Sequence, residues 1–340
     1  MQNIDQIKSF LSKNQSNNIL NSLMDNLKKG LIEYWITAEK ILDNSGVKLK
    51  KPDFNYYSLE KNFFSLIFLY SYYRADISTD RIVLYATINQ CLRGMVTGCD
   101  NILDDEYKKT IDTDLPEKGY KFRSVLDIMT SDRILFHILQ KRALQGDISY
   151  ESVDIAVDES LRCLLKSGAQ EASEEEGVSE FLKPEIVLSG IHHYKTGILF
   201  QSPWAIPSVL EHSDTQSLTD IKKSLYDMGM GCQIMDDMVD LAMDINMKRH
   251  NYVASLIFHS DTIEKNILEE DITKGSFQSS DSSYLEKFPL AMKDAAKVSY
   301  EYLKRGTEVL FKDEHMFMRG FAINFVTKQI GAESFFKENN

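Results

Sequence analysis

The stretch Gly231-Cys232-Gln233-Ile234-Met235-Asp236-Asp237-Met238-Val239-Asp240 sets three aspartates in apolar text, with Asp244 one turn further along. Read as a helix, Asp236 and Asp240 project from one face, because residues four apart stack along the axis. Asp100-Asn101-Ile102-Leu103-Asp104-Asp105 repeats the arrangement, with Asp100 and Asp104 at the same spacing. Like charges so placed repel by about 0.2–0.5 kcal/mol on an exposed helix, and the cost climbs in a partly buried site. A counter-charge is needed. Hard oxygen ligands on a rigid scaffold suit Mg2+, which keeps several waters and bridges to phosphate oxygens. One Asp-x-x-x-Asp in so acidic a chain is expected by chance and reads as a solvated face. Two, both inside apolar helical text, point to a metal-dependent site. Gly94 and Gly98 precede the first cluster, Gly229 and Gly231 the second. Glycine costs a helix about 1 kcal/mol against alanine, so these four mark close backbone packing or room for a ligand.

The surrounding text is helical. Glycine (16) and proline (6) are sparse, and apolar residues recur at helical spacing, as in Leu20, Met24, Leu27 and Leu31, or Leu84, Ile88, Cys91 and Met95. No alternating strand with a hairpin signal interrupts them, so the chain is expected to be all-α. Polar, turn-rich breaks fall at Glu106–Gly119, Ala172–Pro184 and Glu264–Ser283, the last ending in a serine-rich surface loop. No repeat or linker divides the 340 residues, and one domain over 1–340 is expected.

Bulk properties narrow the function. Hydrophobic residues at 43% support a sizeable core, and a net charge of −12 denies nucleic acid the basic field it requires. An anionic ligand would need recruited cations or a few well-aimed basic residues. Cys91, Cys99, Cys163 and Cys232 form no CxxC pair, which argues against zinc and disulfides and for a reducing cytoplasm. Met1–Asn14 is polar, the apolar run Phe63–Tyr73 is too short to span a bilayer, and Ile186–Leu210 carries His192, His193 and Lys195. A cytoplasmic protein with no stable membrane insertion is expected.

Gly231–Asp240 resembles the second aspartate-rich motif of the trans-polyprenyl synthetase family. Asp100–Asp104 is similar to that family's first DDxxD motif, with Asn101 in place of its second aspartate. His193-Tyr194-Lys195-Thr196-Gly197-Ile198-Leu199-Phe200 resembles its Lys-Thr segment, and Ser131-Asp132-Arg133-Ile134-Leu135 its Gly-Asp-x-Leu-Leu stretch. Order and spacing hold from about residue 85 to residue 260. The resemblance implies the isoprenoid synthase fold, a bundle of long helices around a deep cavity, with three Mg2+ ions gripping an allylic diphosphate of C15 or C20. It implies that Asp100 and Asp104 hold two ions, with Asp105 beside them, and that Asp236 and Asp240 hold the third, with Asp237 beside them. Lys195 and Gln233 would contact the diphosphate, with Thr196 adjacent and Lys248 and Arg249 in support. Met95 and Val96, one turn before the first motif, and Phe68 and Tyr72 would line the pocket. Such relatives are commonly homodimers. The residue types fit the chemistry: breaking a primary C–O bond requires charge stabilisation on the departing diphosphate, and the cation left behind needs an apolar, water-free pocket.

Two departures bear on the reaction. Family members that elongate chains carry a basic cluster near the N-terminus, where Asn55–Lys61 reads Asn-Tyr-Tyr-Ser-Leu-Glu-Lys. They also carry Arg-Arg-Gly after the first motif, where this chain has Tyr107-Lys108-Lys109-Thr110; lysine lacks arginine's bidentate fork. On the sequence, these losses favour a terpene synthase, a lyase that cyclises one substrate, over a prenyltransferase. The alternative is a chain-elongating prenyl diphosphate synthase with a rebuilt isopentenyl diphosphate site at Lys108 and Lys109. Head-to-head coupling and a non-catalytic partner subunit complete the set.

Overall fold

Leu23, Leu27, Leu31, Tyr34 and Ala38 are all but fully buried, and their spacing of three and four makes helix α1, Asn17–Leu42. The structure is a computed structural model that describes residues 17–211, 216–275 and 284–336. Among them it is helical throughout, as the periodicity predicts; the described β pairing is one isolated antiparallel bridge, Leu49 to Thr113. The chain clusters into two compact units, Met1–Leu161 with Pro203–Leu218, and Arg162–Ser202 with Thr219–Asn340. No helix among the described residues is long and apolar enough to cross a membrane.

In the first unit, α2 (Leu59–Arg74), α3 (Thr79–Leu103) and α4 (Tyr120–Leu144) pack with α1. Ser58 and Ser78 cap α2 and α3 by accepting the N–H of Lys61 and Arg81. Gly94 and Gly98 let α3 press on α4: a Cβ at Gly94 would lie 2.1 Å from Ser131 Oγ, and one at Gly98 2.6 Å from Ile128 Cγ1. Close packing, rather than space for a ligand, explains this pair. Tyr72 also belongs to the core. It is fully buried, its hydroxyl donates to the Pro203 carbonyl at 2.7 Å, and its ring meets Trp204 and Tyr85 at centroid distances of 5.1 and 5.3 Å. The pocket-lining role expected for Tyr72 therefore gives way to a packing one.

The second unit takes in the C-terminal part of α5 (Tyr150–Ala172), a π-helix over Val187–Gly197, and α7 (Gln216–Val239), which follows the short α6 (Ala205–Leu210). Beyond lie α8 (Leu241–Met247), α9 (Tyr252–Phe258), α10 (Ile263–Lys274), α11 (Tyr284–Lys287), α12 (Pro289–Leu310) and α13 (Phe317–Ile330). Ile234, Met238, Leu241, Val253, Ile257, Leu268, Phe288 and Ala295 form its buried core. Helix α10 corrects the sequence reading of Glu264–Ser283 as a loop. Leu268 is fully buried, Glu264 accepts the N–H of Leu290 and Ala291, and Gly275 closes the helix in a left-handed conformation, φ 61°. Residues 276–283 of that segment lie outside the described residues.

Candidate active site

Each aspartate motif sits at the C-terminal end of a long helix. Asp100 is in the last turn of α3 and Asp104 is its C-cap; Asp236 and Asp237 lie in the last turn of α7, and Asp240 follows it. The negative end of a helix dipole disfavours carboxylates by about 0.3–1 kcal/mol each and favours cations. A cation is favoured at both places, and the Lys108 charge already acts on Asp100 and Asp104. Asp100 and Asp240 are half-buried, Asp104 and Asp236 exposed.

The neighbouring residues have other duties. Asn101 is fully buried; its Oδ1 accepts the Lys108 N–H at 2.7 Å and its Nδ2 donates to the Lys108 carbonyl at 3.0 Å. This two-way clamp needs a donor and an acceptor on one side chain, which an ionised aspartate does not provide. The departure from DDxxD is thus structural. Asp105, in a left-handed turn at φ 53°, accepts from the Tyr120 hydroxyl at 2.7 Å and pairs with Lys121 at 3.0 Å. The Tyr120 hydrogen bond and the Lys121 charge hold its carboxyl below the ordinary range and tie it to the start of α4.

After Lys108 the chain is pinned between residues 48–50 and α4. Asp114 N–H reaches the Lys48 carbonyl at 3.0 Å and Lys50 N–H the Asp112 carbonyl at 2.9 Å. Asp112 gathers Lys109 at 2.9 Å and the buried Arg123 at 3.4 Å, while Arg123 lies over the Tyr107 ring, 4.8 Å from its centroid. Lys108 pairs with Glu106. A cavity of about 300 Å³ opens here, lined by Tyr107, Lys109, Tyr120, Arg123 and three acids. Beneath it Asp127, 1% exposed, has its carboxyl pushed up to about 7 by burial, against the backbone N–H groups of Thr110 and Ile111 and the charge of Arg123. Neither Arg123 nor Asp127 stood out in the sequence; their one signal is a charged pair four apart inside an apolar helix. A second unforeseen arrangement joins Arg93 on α3 to the start of α2, where its Nη1 donates to the Lys61 carbonyl at 3.1 Å.

In the second unit, Asp237 turns inward and is 2% exposed. Its Oδ2 lies 2.9 Å from His192 Nε2 and accepts the Tyr252 N–H at 2.5 Å, while Oδ1 accepts from Gln233 Nε2 at 3.1 Å. Burial works to raise its carboxyl, but His192 and these donors outweigh it and hold Asp237 below the ordinary range. With both oxygens engaged by protein donors, Asp237 anchors the motif to the π-helix and to the start of α9. Asn251 Nδ2 ties the Asp237 carbonyl (2.7 Å) to Asp244 Oδ2 (2.8 Å), and burial with the Asp237 charge pushes Asp244 well above the usual carboxylate range.

The Lys-Thr segment lies on the π-helix. Lys195 Nζ pairs with Glu171 at 3.2 Å and is 18% exposed; burial opposes its charge, but Glu171, Asp237 and Asp244 keep it above the ordinary lysine range. Glu171 is raised by burial, and the Lys195 and Arg249 charges pull it back, so both expected cations act on one carboxylate. Thr196 Oγ1 donates to Gln233 Oε1. Lys248 caps α8 in a left-handed turn, φ 53°, and its carbonyl accepts the Val178 N–H at 2.7 Å. Met95 is buried, and Val96 and Phe68 are half-buried.

Residues 126–253 match the polyprenyl synthetase family. The segment that resembles this family spans 128 of the 340 residues. The matched segment contains the Lys-Thr segment and the second aspartate motif, the parts whose geometry is most tightly built. Solved structures share the fold over nearly the whole chain. A geranylgeranyl pyrophosphate synthetase from Geoglobus acetivorans is similar at TM-score 0.55 and 18% identity, over 91% of this chain and 98% of that one. A decaprenyl diphosphate synthase from Rhodobacter capsulatus is similar at TM-score 0.59 and 12% identity, over 90% and 99%. An octaprenyl pyrophosphate synthase from Helicobacter pylori is similar at TM-score 0.58 and 14% identity, over 89% and 99%. No curated protein matches the chain.

Among the described residues no three or more His, Cys, Asp or Glu side chains converge to hold a metal unaided. Mg2+ bound through one or two carboxylates, with water and substrate phosphate completing its shell, needs no such cage. The aspartate pairs at the ends of α3 and α7 fit that mode.

Proposed function

We propose that the chain is a Mg2+-dependent prenyl diphosphate synthase that ionises an allylic prenyl diphosphate and extends it with isopentenyl diphosphate. Asp100, Asp104, Asp236 and Asp240 would hold the metal, which supplies charge stabilisation for the departing diphosphate. Lys195 and Arg249 would trade part of their pairing with Glu171 for diphosphate oxygens, and Gln233 orients the same face of α7.

The observation that carries elongation over cyclisation is the Arg93–Lys61 contact. Sequence alone shows no basic cluster at Asn55–Lys61, yet the fold brings a second cation to that segment from 32 positions away. The Asn101 clamp supports the same reading, since it explains a departure that otherwise signals lost chemistry and fixes the backbone that carries Lys108 and Lys109. The names of the three similar structures given above, each a prenyl diphosphate or pyrophosphate synthase, agree with it. The reading takes the two units as one catalytic domain and the chain as a homodimer.

The test is diphosphate release from geranyl, farnesyl or geranylgeranyl diphosphate with Mg2+, measured with and without isopentenyl diphosphate. Elongation predicts release only when both substrates are present, a loss of at least about 100-fold in Asp236→Ala, and a raised isopentenyl diphosphate KM in Arg93→Ala. Release from an allylic diphosphate alone would instead establish a cyclase.

A further inference from the structure

The π-helix and α7 are joined by two rungs. His192 meets Asp237 and Thr196 meets Gln233, four residues apart on each element and in antiparallel order. Both His192 and Thr196 sit on the π-helix Val187–Gly197, whose wider winding is seen in the i→i+5 bond from Ile198 N–H to the His193 carbonyl at 2.9 Å. The lower rung is internal: His192 is 1% exposed, its Nε2 approaches Asp237 somewhat off the hydrogen-bond axis, and its Nδ1 has no partner.

Hydrogen-bond polarity runs one way along this ladder. Asp237 accepts the Tyr252 N–H on Oδ2 and receives Gln233 Nε2 on Oδ1, 3.1 Å away. Gln233 Oε1 is then forced toward Thr196, whose hydroxyl must donate to it. The Thr196 proton is thereby committed, and what Thr196 offers any other partner is a lone pair.

We propose that His192 is a positioning residue which, by holding Asp237 in place, fixes the Gln233 amide and leaves Thr196 to meet the diphosphate site as a hydrogen-bond acceptor rather than a donor. This rests on the diphosphate-binding reading above. His192 touches no substrate; it acts through Asp237 and Gln233. Groups that orient metal-site residues in this way carry 10–100-fold effects when removed.

Two substitutions at His192 separate positioning from packing. His192→Phe keeps an aromatic ring of similar volume and removes the nitrogen; His192→Gln keeps an N–H and gives up the ring. Binding of inorganic diphosphate in the presence of Mg2+ is measured by calorimetry on the full chain, with near-ultraviolet circular dichroism confirming that each variant is folded. Where turnover is measurable, kcat and KM are read alongside. The inference predicts about 10–100-fold weaker diphosphate binding for His192→Phe and a change within about 3-fold for His192→Gln. Gln233→Glu, which cannot donate to Asp237, should match the Phe variant. Wild-type affinity in His192→Phe, or equal loss in both His192 variants, would overturn the inference while leaving the enzyme reading intact. A wild-type chain that binds no diphosphate with Mg2+ would remove both.

Discussion

Asn101 occupies the position where the family motif has an acid, and its amide does two jobs at once for the Lys108 backbone. Asn101→Asp deletes the donor and points a carboxylate oxygen at a carbonyl in a fully buried place. The expected cost is about 1–3 kcal/mol, read from urea unfolding midpoints, with Asn101→Ala as reference; a variant as stable as wild type would contradict the clamp. Asp127 gives a second test at this scale. Its folded carboxyl titrates near 7 against an ordinary 3.8, so the folded chain holds a proton that the unfolded chain releases. That contribution is fully present below about pH 4 and is lost as the pH rises through 7. Asp127→Asn should flatten this slope, giving a melting temperature that falls several degrees less than wild type between pH 5 and pH 8. Aspartate spacing was readable in the sequence, but the division of labour among adjacent acids was not. Asp236 and Asp237 are neighbours in the text and opposites in the fold, because a helix turns consecutive side chains about 100° apart. Only the donors that surround Asp237, from positions 192, 233 and 252, show which way each points.

Among the elements, the long helices were legible because their apolar period is unbroken over many turns, and the breaks at 106–119 and 172–184 were marked by polar and turn residues. Helix α10 was missed because Glu, Lys and Asp crowd its exposed face and outnumber the single buried Leu268. The four motif glycines were noticed but their reason was left open; contact distances decide it. A Cβ at Gly231 would come within 2.7 Å of Leu303 Cγ and 3.0 Å of the Ser299 carbonyl, so α12 can approach α7 only where the side chain is absent. Gly231→Ala raises intrinsic helix propensity by about 1 kcal/mol, yet it should destabilise the fold by about 1–3 kcal/mol net through overpacking. Thermal melts would show it, and a stabilised variant would mean that the helices are free to separate.

For the whole molecule, an acidic chain of net charge −12 is read as a binder of a polyanion. That demands local exceptions to the global charge, and the fold supplies them in two ways. It places carboxylate pairs at the negative ends of α3 and α7, where a bound cation is favoured. It also gathers basic groups from distant positions: Arg93 reaches the Lys61 carbonyl, and the Lys195 and Arg249 charges both act on Glu171. Long-range pairings of this kind leave no local signature, which is why the sequence reading favoured a cyclase and the reading proposed above is elongation.

Product mass tests that claim most directly. The chain is incubated with Mg2+, farnesyl diphosphate and isopentenyl diphosphate, and the products are resolved by mass spectrometry. The account predicts a prenyl diphosphate longer by one or more five-carbon units, absent without isopentenyl diphosphate and absent with Asp236→Ala. A hydrocarbon or alcohol formed from farnesyl diphosphate alone would contradict it.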